Sequence, residues 1–226
     1  MDLILANPWA VIVGGGFIIG FLIGITGVGA GSLTTPLLIS VGYPPAIAVG
    51  TDLLFASITK SSAAWRHQEL GNVNWGILGW MALGSLPGAL TMLAWLYYAE
   101  PDTHILAKYI RQFLSAELII SSIAIALHPL LRRKQPSEAR SAEQVPVRWL
   151  PTVLFGLVLG ALVTLTSVGA GAIGVAVLTG LYPALLARRV VGTDIMHAIP
   201  LTLVSGLGHA GMGNLDLTLL AALLVG

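Results

Sequence analysis

Two short stretches of small residues and hydroxyls interrupt apolar segments of this chain and supply groups that could bind a ligand. The first reads TGVGAGS over residues 26–32, and the second reads TSVGAGA over residues 166–172. A broken membrane helix leaves backbone groups that lipid cannot satisfy, so each break must face protein, water or a ligand. A half-helix that begins after a break can hold an anion with its free N–H groups. The predicted substrate-binding residues of the breaks are Thr26, Gly27, Gly29, Gly31, Ser32, Thr166, Ser167, Gly169 and Gly171.

Close packing is the alternative explanation for these glycines. Small residues are abundant in membrane helices because they let two backbones approach each other closely. The hydroxyls beside the glycines, and the occurrence of the pattern at two related positions, favour a surface that lines a substrate.

A Thr-Asp pair follows each break and is the second candidate for chemistry. Thr51-Asp52 and Thr193-Asp194 each come after a glycine and precede a long apolar run. Helix capping by the Thr or Asp oxygens is one interpretation. Ionisable groups at membrane depth are costly and usually functional, so the other interpretation is that the threonines bind substrate and the aspartates carry a coupling proton or ion. His197 follows Asp194 by three residues on the same helical face and could share its proton.

Lys60 is a lysine that the sequence places inside a membrane span. Its long side chain could reach the cytoplasmic surface near Arg66, and the sequence slightly favours this interpretation. Attraction of an anionic substrate is the alternative. Glu117 also lies in the middle of an apolar segment, without an obvious partner.

The sequence lacks the residue patterns of an enzyme or a metal protein. Cysteine is absent, and the five histidines do not have a metal-ligand spacing. No serine has the sequence context of a known nucleophile. We therefore predict no catalytic activity, no metal and no cofactor.

The composition indicates an integral membrane protein. Hydrophobic residues make up 56% of the 226 residues and charged residues 9%, with a mean hydropathy of +0.88. Soluble domains usually have about a quarter of charged residues. The formal net charge of +1 argues against nucleic acid as a partner, which would need a concentrated basic surface.

Apolar segments long enough to enter the membrane lie on both sides of a polar loop at 132–148. They cover about 8–25, 31–42, 45–65, 73–99, 104–128, 150–166, 169–182 and 190–210, and a short one runs to the C-terminus. The Arg-rich loop should be cytoplasmic. Five crossings before it would invert the second half and place Arg188-Arg189 inside with Arg66. If the short Gly-rich segments dip in and return, the halves would be parallel and that Arg pair would lie outside.

The two halves are copies of one another. Val28–Gly31 matches Val168–Gly171, Tyr43-Pro44 matches Tyr182-Pro183, and Val49–Asp52 matches Val191–Asp194. The last offset also matches His67 with His209, Gly71-Asn72 with Gly213-Asn214, and Asn74 with Asp216. We predict an all-α polytopic membrane protein, an inverted repeat of helical bundles with Gly-broken helices, as in secondary transporters. Residues 1–128 would form the first repeat, 129–149 a cytoplasmic linker, and 150–226 a second repeat that is incomplete at its C-terminus.

Residues 20–76 resemble the first repeat of the TauE/SafE family, the sulfite exporter or four-TMS permease group. The shared pattern is a small-residue break, Pro36 in the following helix, a Gly-x-Pro turn at Gly42 and then Ala48-Val49-Gly50-Thr51. Residues 156–217 are similar to the second repeat, with a differently spaced turn. The resemblance implies a multi-pass permease of the bacterial inner membrane. It would move small anions such as sulfite, sulfoacetate or other organosulfur compounds, with export preferred, at the breaks and the Thr-Asp pairs.

Two alternatives stay open beside a complete transporter. A non-transporting or split subunit, completed by another chain, would explain a second copy that ends before the counterparts of the last helices of the first. A passive anion channel is the third option. The predicted partners are therefore a small-molecule anion, the lipid bilayer and either a second copy or a completing chain.

Overall fold

The computed structural model describes residues 13–18, 20–21, 31–99, 101–131 and 145–225, and these form helices and connections without a β-strand. Residues 13–18 and 20–21 are helical. The longer helices are α1 (Gly31–Ser40), α2 (Pro45–Glu69), α3 (Trp75–Ala99), α4 (Thr103–Leu131), α5 (Trp149–Thr166), α6 (Ala172–Leu181), α7 (Ala187–Gly211) and α8 (Leu217–Val225). Three described helices, α3, α5 and α7, are long and apolar enough to cross a membrane. The predicted all-α membrane fold is confirmed.

The helices recur in the order that the sequence repeat predicts. Helices α6, α7 and α8 begin 141 or 142 residues after α1, α2 and α3. Helices α1 and α6 have ten residues each, and α2 and α7 have 25 residues each. Each of the two halves therefore has a helix of ten residues followed by one of 25 residues.

The equivalent helices α2 and α7 pack against each other in opposite directions. Gly50, near the start of α2, lies against the carbonyl group of Asn214, beyond the end of α7. Gly192, near the start of α7, lies in the same way against the carbonyl group of Asn72, beyond the end of α2. Because the start of each helix meets the end of the other, the two helices are antiparallel and the two halves are inverted copies.

Two equivalent hydrogen bonds join the inverted halves. The Thr193 hydroxyl accepts the backbone N–H of Asn74 at 2.9 Å, and the Thr51 hydroxyl accepts that of Asp216 at 3.2 Å. Both threonines lie well inside their helices, since α2 begins at Pro45 and α7 at Ala187. The interpretation that these Thr-Asp pairs cap helices is therefore wrong. The threonine oxygens connect the two halves instead.

The pair α3 and α5 is held by two Gly-xxx-Gly motifs that face each other. In α3, Gly84 and Gly88 lie against the backbone of Val153 and Leu157; in α5, Gly156 and Gly160 lie against that of Met81 and Ser85. Contacts advance along both chains in the same direction, so α3 and α5 are parallel. Small residues at these positions allow the two backbones to touch.

Helix α6 returns to the side from which α5 starts. The Tyr182 hydroxyl, just after α6, lies 2.5 Å from the Thr152 hydroxyl and 3.2 Å from the backbone N of Arg148. Helices α5 and α6 thus enter the molecule and return to the same side, whereas the sequence predicted that 150–166 and 169–182 each cross the membrane. The prediction that a returning segment makes the halves parallel is wrong, because the equivalent helices α2 and α7 are antiparallel.

The basic residues at the ends of these helices share one side of the molecule. The end of α2, with Arg66, meets the start of α7, with Arg188 and Arg189, because these helices are antiparallel. Arg148 lies on the same side, since its backbone contacts Tyr182. By the positive-inside rule we expect this side to be cytoplasmic.

Candidate functional site

The second Gly-rich break is a buried connection between α5 and α6. Helix α5 ends at Thr166, and the backbone then takes positive φ angles of 63° at Ser167, 108° at Gly169 and 136° at Gly171. Side chains rarely adopt such angles, which explains the glycines. Residues 163–171 are all buried. Of the first break, Thr26, Gly27 and Gly29 lie outside the described residues, while Gly31 and Ser32 begin α1.

The start of α6 has backbone N–H groups that lack acceptors among the described residues. The Gly174 N–H reaches back to the Gly169 carbonyl at 3.1 Å, and the Val175 N–H to that of Gly171 at 2.8 Å. Within the described parts of the chain, Ala172 and Ile173 have no such backbone acceptor. These N–H groups form the positive end of the α6 dipole and can receive an anion.

The Lys60 side chain lies at this same break. Its ammonium group donates a hydrogen bond to the Ala170 carbonyl at 3.1 Å. The interpretation that Lys60 reaches the surface near Arg66 is therefore wrong. The positive charge acts on both Asp52 and Asp194, but neither is within ion-pair distance; in the described residues only Arg66 and Glu69 form an ion pair, at 3.0 Å.

Asp52 is a buried carboxylate with a hydroxyl partner. It is 0% exposed, and its Oδ2 accepts a hydrogen bond from Thr35 of α1 at 2.7 Å. The Ser167 hydroxyl of the second break lies beside the same carboxyl group without the geometry of a hydrogen bond. The second break therefore reaches Asp52 at one end.

Asp194 lies at the other end of the break and has no hydroxyl partner. It is 1% exposed, and neither carboxylate oxygen has a hydrogen-bond partner within the described chain. The carboxylate lies directly against the Cα of Gly174 in α6, where a Cβ would collide with Oδ1. The first seven residues of α6 contain no hydroxyl, unlike those of α1. The two equivalent aspartates therefore have different surroundings.

His197 is paired with a different helix from the one the sequence suggests. Its Nε2 lies 2.7 Å from the Ser85 hydroxyl of α3, and its Nδ1 is buried without a partner in the described residues. The expected hydrogen bond to Asp194 is not formed, because Asp194 has none with the described chain. The Ser85 contact was not predicted, because nothing in the sequence relates α3 to this part of α7.

Glu117 and Thr166 form a contact that the sequence did not predict. The Thr166 hydroxyl donates to Glu117 Oε2 at 2.6 Å and lies 2.8 Å from the Leu162 carbonyl. It also accepts the Val168 N–H at 3.2 Å. The Thr166 hydroxyl thus forms its hydrogen bonds within the protein, whereas the sequence predicted that it binds substrate. A Glu in an apolar span was the signal for this contact.

The predicted residues of the second half thus converge on one buried region. Along the second break, Ser167 lies at Asp52, Ala170 at Lys60 and Gly174 at Asp194. The Lys60 ammonium group and the first N–H groups of α6 provide positive potential in this region. The carboxylates of Asp52 and Asp194 lie on either side. No cluster of metal ligands occurs among the described residues.

Comparison with known proteins identifies the family. Residues 12–226 match the family described as Sulfite exporter TauE/SafE. The chain belongs to this family. The TauE/SafE chain is 35% identical over 211 residues to the "Probable membrane transporter protein YjnA" of Bacillus subtilis (strain 168), which covers 93% of this chain and 83% of that protein.

Two further relatives have names of the same kind. "Probable membrane transporter protein YdhB" of B. subtilis is 25% identical over 93% of this chain and 82% of its own length. "Probable membrane transporter protein MJ0441" of Methanocaldococcus jannaschii is 27% identical over 91% of this chain and 73% of its own length. No solved structure matches the chain significantly. This TauE/SafE protein is a membrane transporter.

Proposed function

We propose that this protein is a secondary transporter that moves small anions such as sulfite, sulfoacetate and other organosulfur compounds across the cytoplasmic membrane, in the direction of export. The observation that carries the proposal is the Lys60 ammonium group at a buried helix break, between two carboxylates of inverted repeats. The family description, Sulfite exporter TauE/SafE, supports the substrate class and the direction.

The charges at the break favour a small anion. A sulfite or sulfonate group has oxygens that accept hydrogen bonds from the Lys60 ammonium and from the first N–H groups of α6. Asp52 and Asp194 limit how much negative charge the region can hold. A compact anion that brings one or two charges fits these conditions better than a polyanion.

The unpaired Asp194 suggests how transport is coupled to protons. Burial of an ionised carboxylate without hydrogen bonds is costly, and a proton removes that cost. The anion and the ionised carboxylate compete for the charge of Lys60. Protonation of Asp194 would therefore strengthen anion binding, so the proton and the anion would be carried in the same direction. Export then requires an outward anion gradient that exceeds the inward proton gradient.

Counterflow in proteoliposomes tests the transport function. Vesicles loaded with unlabelled sulfoacetate are diluted into labelled sulfoacetate, and a carrier accumulates the label transiently, whereas a passive channel only equilibrates it. We expect transient accumulation that sulfite and short sulfonates suppress. Vesicles that take up no label beyond protein-free vesicles would contradict the proposal, and simple equilibration would indicate a channel.

A methyl group at Gly174 is expected to block transport without unfolding the protein. The new Cβ collides with the end of the Asp194 side chain, which can rotate away, and not with backbone. Gly174→Ala should lower sulfoacetate counterflow about tenfold, while its melting temperature in detergent stays close to that of the wild type. Gly180→Ala on the same helix is the control, because no atom lies within 4 Å of its new Cβ. Equal counterflow in the two variants would remove Asp194 from the site.

A further inference from the structure

A glutamate lies in the buried stripe of α4. Ile110, Leu114, Glu117 and Ser121 recur at helical spacing and are 1%, 6%, 3% and 4% exposed. The cation nearest to Glu117 on its own helix, Arg111, is exposed to the surroundings. Glu117 therefore faces the protein interior, where apolar residues would be expected.

The carboxyl group of Glu117 is only partly satisfied. Its Oε2 accepts the Thr166 hydroxyl at 2.6 Å. Its Oε1 is buried and has no partner among the described residues, and neither has the Ser121 hydroxyl one turn later. Thr166 closes α5, and its oxygen also accepts the Val168 N–H at 3.2 Å. One hydroxyl thus connects Glu117 to the second break.

No described charge compensates an ionised Glu117. Helix α4 packs against α2, α5 and α6, and α5 and α6 contain no ionisable side chain. The ionisable residues of α2 are Asp52, Lys60, Arg66, His67 and Glu69, and none of them acts on the Glu117 carboxyl group. A buried charge without a counter-charge is costly, and a bound proton removes that cost.

We propose that Glu117 is a second proton-binding residue of this transporter. It takes up and releases a proton, and its protonation state acts on the second break through the hydrogen bond with Thr166. An ionised carboxylate binds a hydroxyl more strongly than a neutral one. Release of the proton would therefore hold Thr166, and with it the start of the break, more firmly. The effect on transport rests on the proposed function, because the break is where the anion would bind.

Infrared titration of the protein in lipid tests the proton site directly. We expect the wild type to have a protonated-carboxyl band that decreases as the pH rises and that Glu117→Gln lacks. Thr166→Val, which removes only the hydroxyl, should shift the midpoint of that band. Ser115→Ala, on an exposed face of α4, is the control, because its hydroxyl bonds only to its own helix.

Three results would overturn the proposal. The first is a Glu117→Gln spectrum identical to that of the wild type at every pH. The second is a Glu117 band that does not change with pH. The third is a band that sodium ions abolish at constant pH, which would indicate a sodium site. If Glu117→Gln does not fold, an unshifted midpoint in Thr166→Val decides against the proposal.

Transport separates this proposal from the proposed function. Glu117→Gln should change the pH dependence of sulfoacetate counterflow: the part that follows the Glu117 band should be lost, while the part that depends on Asp194 remains. If the wild type moves no anion, the proposed function fails. The infrared titration then still tests whether Glu117 binds a proton. If the variant keeps the wild-type pH dependence, the link between Glu117 and the break is wrong.

Discussion

Replacement of Lys60 by glutamine is expected to lower sulfoacetate counterflow strongly. The ammonium group lies at the Ala170 carbonyl of the second break and acts on both Asp52 and Asp194. Glutamine keeps a hydrogen-bond donor of similar reach but removes the only described cation of the break. Two buried carboxylates would then repel an anion without compensation, so counterflow should fall by about tenfold or more.

Arg66→Gln is the matched control for Lys60→Gln. Both changes remove one positive charge from α2, but the Arg66 side chain is 70% exposed and pairs with Glu69 at the end of the helix. We expect counterflow close to that of the wild type in Arg66→Gln. If both variants lose the same fraction of activity, the effect arises from the net charge of the protein and not from the break.

Gly84→Ala is expected to destabilise the protein more than the other substitutions considered. Its Cβ would overlap the Val153 carbonyl oxygen and approach the Leu157 nitrogen to 2.9 Å. Both are backbone atoms of α5, so the helices must separate along their whole interface. Overpacking of this kind costs about 1–3 kcal/mol and sometimes more. The variant should melt far below the wild type in detergent, as followed by size-exclusion chromatography after heating.

Gly79→Ala in the same helix controls for the change of residue type. No atom lies within 4 Å of its new Cβ, and alanine favours a helix over glycine by up to about 1 kcal/mol. Its melting temperature should equal or exceed that of the wild type. Equal melting temperatures for Gly84→Ala and Gly79→Ala would contradict the backbone contact between α3 and α5.

The helices and the second break follow closely from the sequence because both depend on local composition. Hydropathy predicted spans at 45–65 and 190–210, and the structure has helices Pro45–Glu69 and Ala187–Gly211. The glycines at 169 and 171 predicted a break, and both have positive φ angles. A break that needs glycine can be recognised from the sequence without knowledge of the neighbouring helices.

The contacts of the polar side chains do not follow from the sequence, because each joins distant segments. Lys60 and Ala170 are 110 positions apart, and Thr166 and Glu117 are 49 apart. Hydropathy gives the depth of Lys60 but not the direction of its side chain, so the surface position was favoured. The return of α6 was weighed but not favoured for a related reason, since its ten residues fit either a short crossing or a returning half-helix.

The inverted repeats explain why two equivalent aspartates can have different roles. Asp52 has the hydroxyl of Thr35, whereas Asp194 faces Gly174 and has no hydrogen bond within the described chain. The same motif is thus placed twice by the duplication, and its surroundings differ through α1 and α6. We propose that Asp194 exchanges the coupling proton, whereas the hydrogen bond from Thr35 favours the ionised form of Asp52.

Alkylation of a cysteine at the second break tests whether the anion binds beside Lys60. The natural chain has no cysteine, so Ala170→Cys introduces a unique thiol next to Lys60 and keeps the backbone carbonyl that Lys60 contacts. Ala94→Cys, on the exposed part of α3, is the control. Sulfoacetate is the ligand, because sulfite itself reacts with maleimides.

We expect sulfoacetate to protect the thiol at position 170 from N-ethylmaleimide. At about ten times the dissociation constant, alkylation at position 170 should slow about tenfold, while the rate at position 94 stays constant. An alkylation rate at position 170 that does not change with sulfoacetate, in a variant that still performs counterflow, would show that the anion binds elsewhere and would contradict the account.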